Sequence, residues 1–321
     1  MKTALITGIS GQDGPYLAKL LIEKGYNVYG LNKQRTPLDN LQKLGVTGVG
    51  IIEGDLTDAS SVAMAIKVSK PDEIYNLAAQ SHVGYSFKTP QLTCSINYMG
   101  FLNILLEARR HAPQAKIYQA GTSEMFGYAA DLLQNEETPF QPKSPYAISK
   151  TAAHWAGVNA RHECSQFVSN GILFNHESPL RHADFVTKKI TNAVVAGDLL
   201  KLGNIDAKRD WGYAGDYVEA MWRILQHDKP DDFVIATGES HTVREFITAA
   251  FGVLGKQIRY TGEGIDEKGY VGDELVMEID PQFYRPNELH ALRGDYSKAA
   301  TVLGWHPTVK FGQLVELMVN G

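Results

Sequence analysis

Tyr146 and Lys150 are the pair of residues whose types and spacing most directly indicate acid–base chemistry. They lie four residues apart in a stretch with a helical pattern, so both side chains fall on one face, one turn apart. A tyrosine of ordinary pKa, about 10, is a poor base at neutral pH. A neighbouring ammonium group favours the phenolate, and such a pair can therefore deprotonate a hydroxyl group.

A hydroxyl and a carboxylate follow the predicted strand at residues 116–120. In open α/β sheets, ligands bind beyond the carboxyl ends of the strands, which is where Thr122 and Glu124 lie. Thr122 can hydrogen bond to a ligand hydroxyl. A carboxylate can remove a proton from an acidified carbon and can protonate a departing hydroxide. Taken alone, Glu124 could equally be a surface residue.

Three glycines, Gly8, Gly11 and Gly14, separate a predicted strand from a predicted helix. The first permits a tight turn, the second lets a pyrophosphate approach the backbone, and the third allows close packing of helix on strand. The N-terminus of the helix then presents unpaired N–H groups to the phosphates. We predict a dinucleotide site, against the alternative of a plain tight turn.

The end of the second predicted strand indicates which dinucleotide is bound. An acidic residue there would bind the ribose 2′-hydroxyl of NAD and repel a 2′-phosphate, but this sequence has Asn32, Lys33 and Arg35. Because a guanidinium suits a phosphate, we predict NADP; the alternative is that both cations are solvated surface charges. Asp55 follows the third strand and is a candidate for an adenine contact or for a helix N-cap.

Strands and helices alternate along the first half of the chain and must position these residues. Strands are predicted at residues 3–7, 27–31, 49–52, 73–77, 116–120 and 167–174, and helices at 15–24, 60–69, 97–110, 145–163 and 243–254. This alternation predicts an α/β fold, a Rossmann-type doubly wound parallel sheet with a smaller mixed α/β substrate-binding part. We assign residues 1–175 to the dinucleotide-binding domain, to which later segments return, and 176–321 mainly to the substrate-binding part. Residues 202–215 and 262–286 are predicted binding loops.

Composition narrows the possible partners and the compartment. The net charge of −5 argues against a broad nucleic-acid-binding surface. Cys94 and Cys164 are interpreted as reduced core thiols. The sequence holds no apolar stretch long enough to cross a membrane, and it starts directly with a predicted strand rather than a signal peptide. We therefore expect a cytoplasmic protein with no nucleic-acid partner, membrane span or metal site.

Several stretches of the sequence carry a resemblance to a known family. They are residues 7–14 (TGISGQDG), 75–83 (YNLAAQSHV), 122–127 (TSEMFG), 144–146 (SPY), 171–179 (GILFNHESP), 209–214 (RDWGYA) and 284–286 (YRP), followed by Glu288. Over nearly its whole length the sequence resembles the GDP-mannose 4,6-dehydratases, a group of the extended short-chain dehydrogenases. The GQDG, NHESP and RDWG stretches distinguish that family from related epimerases and 4-reductases.

The resemblance implies a hydro-lyase that converts GDP-mannose to GDP-4-keto-6-deoxymannose and water, using NADP with no net redox change. It implies that Tyr146 deprotonates the C4 hydroxyl while hydride leaves C4, and that Lys150 holds the ribose and lowers the pKa of Tyr146. Glu124 would take the C5 proton and help to expel the C6 hydroxyl, after which hydride returns to C6. Thr122 would orient the C4 oxygen.

The resemblance also implies which residues bind each ligand. For the cofactor they are Gly8, Gly11, Gln12, Asp13, Gly14, Arg35, Asp55, Leu56, Leu77, Ala79, Tyr146, Lys150 and His176. For the nucleotide sugar they are Ser86, Asn175, Thr187, Lys188, Arg209, Arg285 and Glu288. His176 is interpreted as structural rather than catalytic, and Trp211 as a packing residue. Alternatively, Arg209 and Asp210 form an internal ion pair, and Lys188 and Lys189 a solvated helix face.

Two features depart from the family pattern. Gly121 stands where a serine is common, and the loop after Arg35 is short, with one arginine where two are common. In the family this loop helps to bind NADP across a tetramer interface. The resemblance implies a homodimer or a homotetramer and leaves that choice open. We hypothesise that Lys33 supplies the missing charge.

Three other functions compete with this interpretation. The first is dehydration of a related sugar such as GDP-manno-heptose, because Gly84 and Tyr85 could alter the space near C6. The second is a 4-reductase or an epimerase; Glu124 argues against a reductase, because returning hydride to C4 needs no base at C5. The third is a silent NADP-sensing or scaffold protein, in which loss of Tyr146, Lys150 or Glu124 is expected, yet all three are present.

Overall fold

The computed structural model describes residues 1–128, 133–283 and 292–321. The strands are β1 Thr3–Thr7, β2 Asn27–Asn32, β3 Gly50–Glu53, β4 Glu73–Asn76, β5 Lys116–Ala120, β6 Val168–Leu173, β7 Asn175–Glu177, β8 Leu200–Leu202, β9 Lys208–Arg209, β10 Trp211–Tyr213, β11 Asp232–Ile235, β12 His241–Thr242, β13 Ile258–Thr261, β14 Lys268–Val271 and β15 Glu274–Ile279. The helices are α1 Asp13–Glu23, α2 Asp39–Lys43, α3 Ala59–Ser69, α4 Val83–Lys88, α5 Pro90–Cys94, α6 Gly100–His111, α7 Pro145–Glu163, α8 Val186–Ala196, α9 Ala214–Gln226, α10 Val243–Val253, α11 Ser297–Leu303 and α12 Phe311–Asn320. A π-helical turn, Ser95–Met99, joins α5 to α6.

The central sheet has seven strands within the described residues, in the order β11-β6-β5-β4-β1-β2-β3. Every neighbouring pair is parallel. The strand order reverses at β1, because the chain runs outwards to β2 and β3 and then returns to β4 on the other side of β1. Such a reversal opens a crevice beyond the carboxyl ends of the strands. The predicted α/β, doubly wound parallel sheet is confirmed.

Most of the predicted elements lie within one or two residues of the observed ones. The strands at 3–7 and 116–120 and the helix at 145–163 have the predicted bounds. Several observed elements were not predicted, among them α9 and the strand β11, which pairs with β6 and extends the central sheet. The division of the chain near residue 175 stays a prediction.

The prediction of a binding loop at residues 262–286 was wrong over β14 and β15. These strands pair antiparallel and belong, within the described residues, to a sheet of order β13-β14-β15-β8. Gly272 has φ +59° in the turn between them, a conformation that glycine adopts without strain. Each strand begins with a charged residue, Lys268 in β14 and Glu274 in β15, so neither is a continuous apolar run. The other predicted loop, 202–215, includes the short strands β9 and β10.

Separate apolar cores stabilise the central sheet and the smaller sheet. One packs Leu17 and Leu21 of α1 against Tyr217 and Ile224 of α9. The other lies under the smaller sheet and contains Phe246 with residues of α8, β15 and α12. Cys94 and Cys164 are both free thiols. Across the described ranges, no helix combines the length and apolar character needed to span a membrane.

Candidate active site

A cavity of about 1080 Å³ lies beyond the carboxyl ends of the central strands. The predicted site residues that line it are Gly8, Gly11, Gln12, Asp13, Gly14, Asp55, Leu56, Leu77, Ala79, Thr122, Glu124, Tyr146, Lys150, Asn175, His176 and Arg209. The wall does not include Arg35, Ser86, Thr187 or Lys188. Arg285 and Glu288 lie outside the described residues. The fold thus brings the glycine-rich loop and the acid–base residues to one cavity.

The start of α7 fixes the direction of Tyr146 and Lys150. The N–H of Ala147 donates to the hydroxyl of Ser144 at 3.1 Å, and Pro145 occupies the first turn. A serine N-cap and an early proline both favour helix initiation at this point. Tyr146 and Lys150 are buried one turn apart and both line the cavity.

Burial governs the ionisation of both residues. It raises the pKa of Tyr146 to about 12; a hydrogen bond with Thr122 opposes the rise and the carboxylate of Glu124 adds to it. Burial also lowers the pKa of Lys150 to about 8. The Lys150 ammonium donates to the carbonyl of Ala120 at 2.9 Å. The expectation that Lys150 lowers the pKa of Tyr146 stays a prediction.

Thr122 and Glu124 are held as one unit at the end of β5. They belong to a 3-10 turn, Ser123–Met125, whose N-cap is Thr122. The N–H of Glu124 donates to the Thr122 hydroxyl at 3.3 Å. Gly121 precedes them, and a Cβ added there would lie 2.8 Å from the carbonyl of Gly171, so the glycine permits close approach to β6. The carboxylate and the phenol therefore share one wall of the cavity.

The glycine-rich loop packs so closely against the protein's own backbone that side chains at Gly8 and Gly14 would not fit. Gly8 has φ +72°, and a Cβ there would lie 2.7 Å from the nitrogen of Ala78. A Cβ on Gly14 would lie 2.6 Å from Ile9. The N–H of Gly11 donates to the carbonyl of Gly8 at 3.0 Å, which closes the turn. A tight loop that leads into the N-terminus of α1 fits the phosphates of a dinucleotide.

Gln12 and Asp13 bind the segment that follows β6. The Gln12 amide donates to the carbonyl of His176 at 3.0 Å, and the Ser178 hydroxyl donates to the Gln12 carbonyl at 3.1 Å. His176 Nε2 lies 2.9 Å from a carboxylate oxygen of Asp13. Burial opposes both charges, but their pairing outweighs it, so the pKa of Asp13 is lowered and that of His176 is raised.

Lys33, rather than Arg35, lies on the cavity wall at the end of β2. Its ammonium lies 3.0 Å from the carboxylate of Asp55, which is also on the wall. Arg35 is exposed and has φ +64°, so the chain turns away at this residue. Asp58, not Asp55, is the N-cap of α3, since its carboxylate accepts from the N–H groups of Ser60 and Ser61.

Three residues predicted to bind the nucleotide sugar make other contacts. Ser86 is fully buried and donates its hydroxyl to the carbonyl of Val83 at 2.7 Å. Thr187 is also fully buried and donates to Glu177 at 2.6 Å. Lys188 is half-buried, and burial followed by the nearby Lys43 lowers its pKa. The side chains of these residues do not reach the cavity.

The sequence analysis missed several cations on the cavity wall, among them Arg181 and Lys189. Arg181 Nε lies 2.9 Å from the carboxylate of Glu177, and its guanidinium stacks 3.7 Å from the ring centroid of Phe185. Lys189 donates to the carbonyl of Lys201 at 2.6 Å. The sequence could not choose between adjacent lysines, because only the helix orientation decides which one faces the cavity.

Trp211 is a packing residue, as the sequence analysis predicts, and it also lines the cavity. It is buried, meets Phe246 edge to face and stacks on Phe311. Arg209 is buried on the same wall and donates to the carbonyl of Lys208 at 2.8 Å. The Asp210 carboxylate accepts from Thr237, Gly238 and Gly294. Burial raises the pKa of Asp210 to about 6, against these hydrogen bonds.

Comparisons with known proteins agree with this geometry. The sequence model of a family described as GDP-mannose 4,6 dehydratase matches residues 5–318. GDP-mannose 4,6 dehydratase 2 of Arabidopsis thaliana is 49% identical, over 99% of this chain and 86% of its own. The GDP-mannose 4,6 dehydratase of Cricetulus griseus is 46% identical, over 99% and 91%. Among solved structures, the Thermus thermophilus UDP-glucose 4-epimerase in complex with NAD is similar, with a TM-score of 0.85, 26% identity, and coverage of 99% and 98%.

Proposed function

The chain belongs to the GDP-mannose 4,6-dehydratase family, and on that premise we propose that it removes water from GDP-mannose to give GDP-4-keto-6-deoxymannose. The observation that carries the proposal is Glu124 on the same cavity wall as the hydrogen-bonded pair Thr122 and Tyr146. A simple dehydrogenase needs only the hydroxyl, the tyrosine and the lysine. The additional carboxylate supports elimination across C5 and C6.

Three of the four acid–base residues act on the sugar in this reaction, and Lys150 would hold the ribose of the cofactor. Tyr146 takes the proton of the C4 hydroxyl, and Thr122 orients that oxygen through its own hydroxyl. Once C4 is a ketone, the C5 proton is acidic, and Glu124 removes it. Glu124 then gives that proton to the departing C6 hydroxyl, so that water leaves. C5 regains a proton in the last step, and the carbon skeleton ends at the oxidation level at which it began.

A nicotinamide cofactor is the group that the glycine-rich loop and the family support. When bound, a nicotinamide cofactor would supply positive charge in its oxidised form and would serve as the acceptor and then the donor of hydride. Gly8, Gly11 and Gly14 would hold its diphosphate, and Leu77 and Ala79 would line the path to the ribose. The pKa of Tyr146, about 12 in the protein alone, makes such a positive charge necessary for a phenolate near pH 7.

The proposal also specifies the cofactor, which we take to be NADP rather than NAD. No acidic residue stands at the end of β2, where Asn32 is followed by Lys33. Lys33 is on the cavity wall, and its ammonium can reach a 2′-phosphate while it stays close to Asp55. Arg181 and Arg209 add positive charge elsewhere on the wall, where two diphosphate groups would have to be neutralised.

The test is incubation of the protein with GDP-mannose and NADP⁺ in heavy water, followed by proton NMR. We expect a new C6 methyl signal, deuterium at C5 and no lasting accumulation of NADPH. Glu124→Gln should remove the methyl signal because no base remains for C5. Tyr146→Phe should stop the first oxidation as well.

Matched variants and substrates separate the possible failures. Tyr29→Phe, away from the cavity, should keep full activity and controls for the loss of a phenol. If GDP-mannose is untouched while a GDP-manno-heptose reacts, the sugar assignment is wrong and the chemistry stands. Consumption of NADPH on a 4-keto sugar, with no dehydration, would replace the dehydratase by a reductase.

A further inference from the structure

The proton positions on His176 follow from its two hydrogen-bond partners. Nδ1 lies 2.9 Å from the carbonyl oxygen of Phe174, and Nε2 lies 2.9 Å from a carboxylate oxygen of Asp13. A carbonyl and a carboxylate can only accept hydrogen bonds, so both ring nitrogens must donate. A neutral imidazole carries one N–H, whereas an imidazolium carries two. With Asp13 ionised, as its lowered pKa favours, the charged form of His176 is the one that satisfies both contacts.

A negative charge at Asp13 is unfavourable for the binding of phosphate groups by the glycine-rich loop. Asp13 is the first residue of α1 and lies within the glycine-rich loop, between Gly11 and Gly14, and both the residue and the loop line the cavity. The N-terminus of a helix attracts anions, and an acidic side chain in the first turn competes with a ligand phosphate for the same field. A bare carboxylate here would also repel a diphosphate directly.

We propose that the imidazolium of His176 cancels the charge of Asp13, so that the glycine-rich loop can accept an anionic dinucleotide. His176 and Asp13 are then positioning residues that act through the loop. Gln12 completes the arrangement, because its amide donates to both Asp13 and the carbonyl of His176. The inference rests on the cofactor-binding part of the proposed function.

The neighbours of the pair determine how it responds to pH. Tyr217 of α9 stacks on the imidazole, with ring centroids 4.5 Å apart. The other titratable groups that interact with Asp13 or His176 are Tyr118, Tyr146, Lys150, Glu177 and Arg181. Arg181 is paired with Glu177, so the guanidinium is already partly neutralised. Cofactor affinity should then fall as pH rises through the raised pKa of His176, because Asp13 loses its counter-charge.

Calorimetric titration with NADP⁺ from pH 7 to 9.5 tests the charge directly. His176→Gln keeps a donor near Asp13 but removes the positive charge, and we expect about tenfold weaker binding, within the range of coupling between linked sites. Asp13→Asn removes the carboxylate that needs a counter-charge, so the fall in affinity with rising pH that is attributed to His176 should disappear. The double variant should regain the affinity that His176→Gln loses, a rescue that a merely structural role does not predict. Lys150 is present in every variant and contributes to the pH dependence of each. The difference between the pH profiles of wild-type and His176→Gln protein therefore reports the contribution of His176.

Asp232→Asn is the matched control, because Asp232 pairs with His154 at 3.6 Å and with Arg161, away from the cavity wall. It should lower the unfolding temperature without changing NADP⁺ affinity.

The His176 imidazole proton signal, assigned by its absence in His176→Gln, should titrate above the ordinary histidine range. A titration below pH 7, or a double variant as weak as His176→Gln, would overturn the inference. Wild-type protein that binds neither NADP⁺ nor NAD⁺ would instead overturn the proposed function, while the His176 titration still decides the charge.

Discussion

Lys150 is kept in the protein at a cost to stability. Its pKa is about 8 in the folded chain against 10.5 as the ordinary value, because burial disfavours the ammonium. The unfolded chain therefore binds more protons between these two values, and the penalty is complete below about pH 8. A shift of this size corresponds to about 3 kcal/mol at pH 7. Residues retained against stability are commonly functional.

Lys150→Met should therefore stabilise the fold while it abolishes activity. We expect the free energy of unfolding at pH 7 to rise by about 2 kcal/mol, with the gain vanishing between pH 8 and 10.5. The carbonyl of Ala120 keeps a donor, the Gln119 amide at 3.2 Å, so no acceptor is stranded. Urea denaturation measures the change, and Lys19→Met on the exposed side of α1 should leave stability nearly unaltered. A less stable Lys150→Met protein would contradict this account.

Lys33 should determine the preference for NADP over NAD. Lys33→Ala should weaken NADP⁺ binding about tenfold, the order expected for one hydrogen bond to a charged group, and change NAD⁺ binding little. Arg35→Ala should change neither affinity by more than about twofold, because Arg35 does not line the cavity. Fluorescence or calorimetric titration with both dinucleotides makes the comparison. Equal NADP⁺ affinity in Lys33→Ala would remove Lys33 from the site.

At the scale of the element, the junction of β1 with α1 depends on contacts that only glycine allows. Gly14→Ala should separate the first turn of α1 from the loop, because its Cβ would lie 2.6 Å from both the Cα and the carbonyl oxygen of Ile9. We expect a loss of stability of about 1–3 kcal/mol and of most NADP⁺ binding. Gly252→Ala in α10 meets no atom within 4 Å and should stabilise by about 0.5–1 kcal/mol. Thermal unfolding of both variants measures these opposite signs, and a tolerated Gly14→Ala would be inconsistent with the tight junction.

At the scale of the whole molecule, two adjacent helical segments expose large apolar side chains. Leu92, Met99 and Leu106 recur every seven residues from α5 through the π-helical turn to α6, and Ile148 and Trp155 have the same spacing on α7. An extended apolar surface of this kind is typical of a protein interface. Since α7 also carries Tyr146 and Lys150 on its buried side, an interface here would support the catalytic helix.

We expect this surface to be buried against a second copy of the chain. Light scattering should give a mass that is a multiple of 35.4 kDa. Trp155→Glu should lower that mass by placing a charge in the interface. Val195→Glu, an equally exposed position on α8, should leave it unchanged. A monomeric wild-type protein would exclude the predicted homodimer and homotetramer alike.

The sequence by itself determined the local features of the site. Gly8, Gly11 and Gly14 identified the loop because backbone geometry there excludes side chains, and the four-residue spacing of Tyr146 and Lys150 fixed one helix face. The central sheet was predictable because buried parallel strands are continuous apolar runs. Such signals are local in the chain, and tertiary structure did not change them.

Only the tertiary structure decided which side chains face the cavity. It selected Lys189 over Lys188 and Lys33 over Arg35, because helix rotation and backbone turns set those directions. The charge on His176 depends on Asp13, 163 residues away, and burial raises the pKa of Tyr146. Desolvation and long-range pairing arise when distant segments meet, so no local pattern could reveal them.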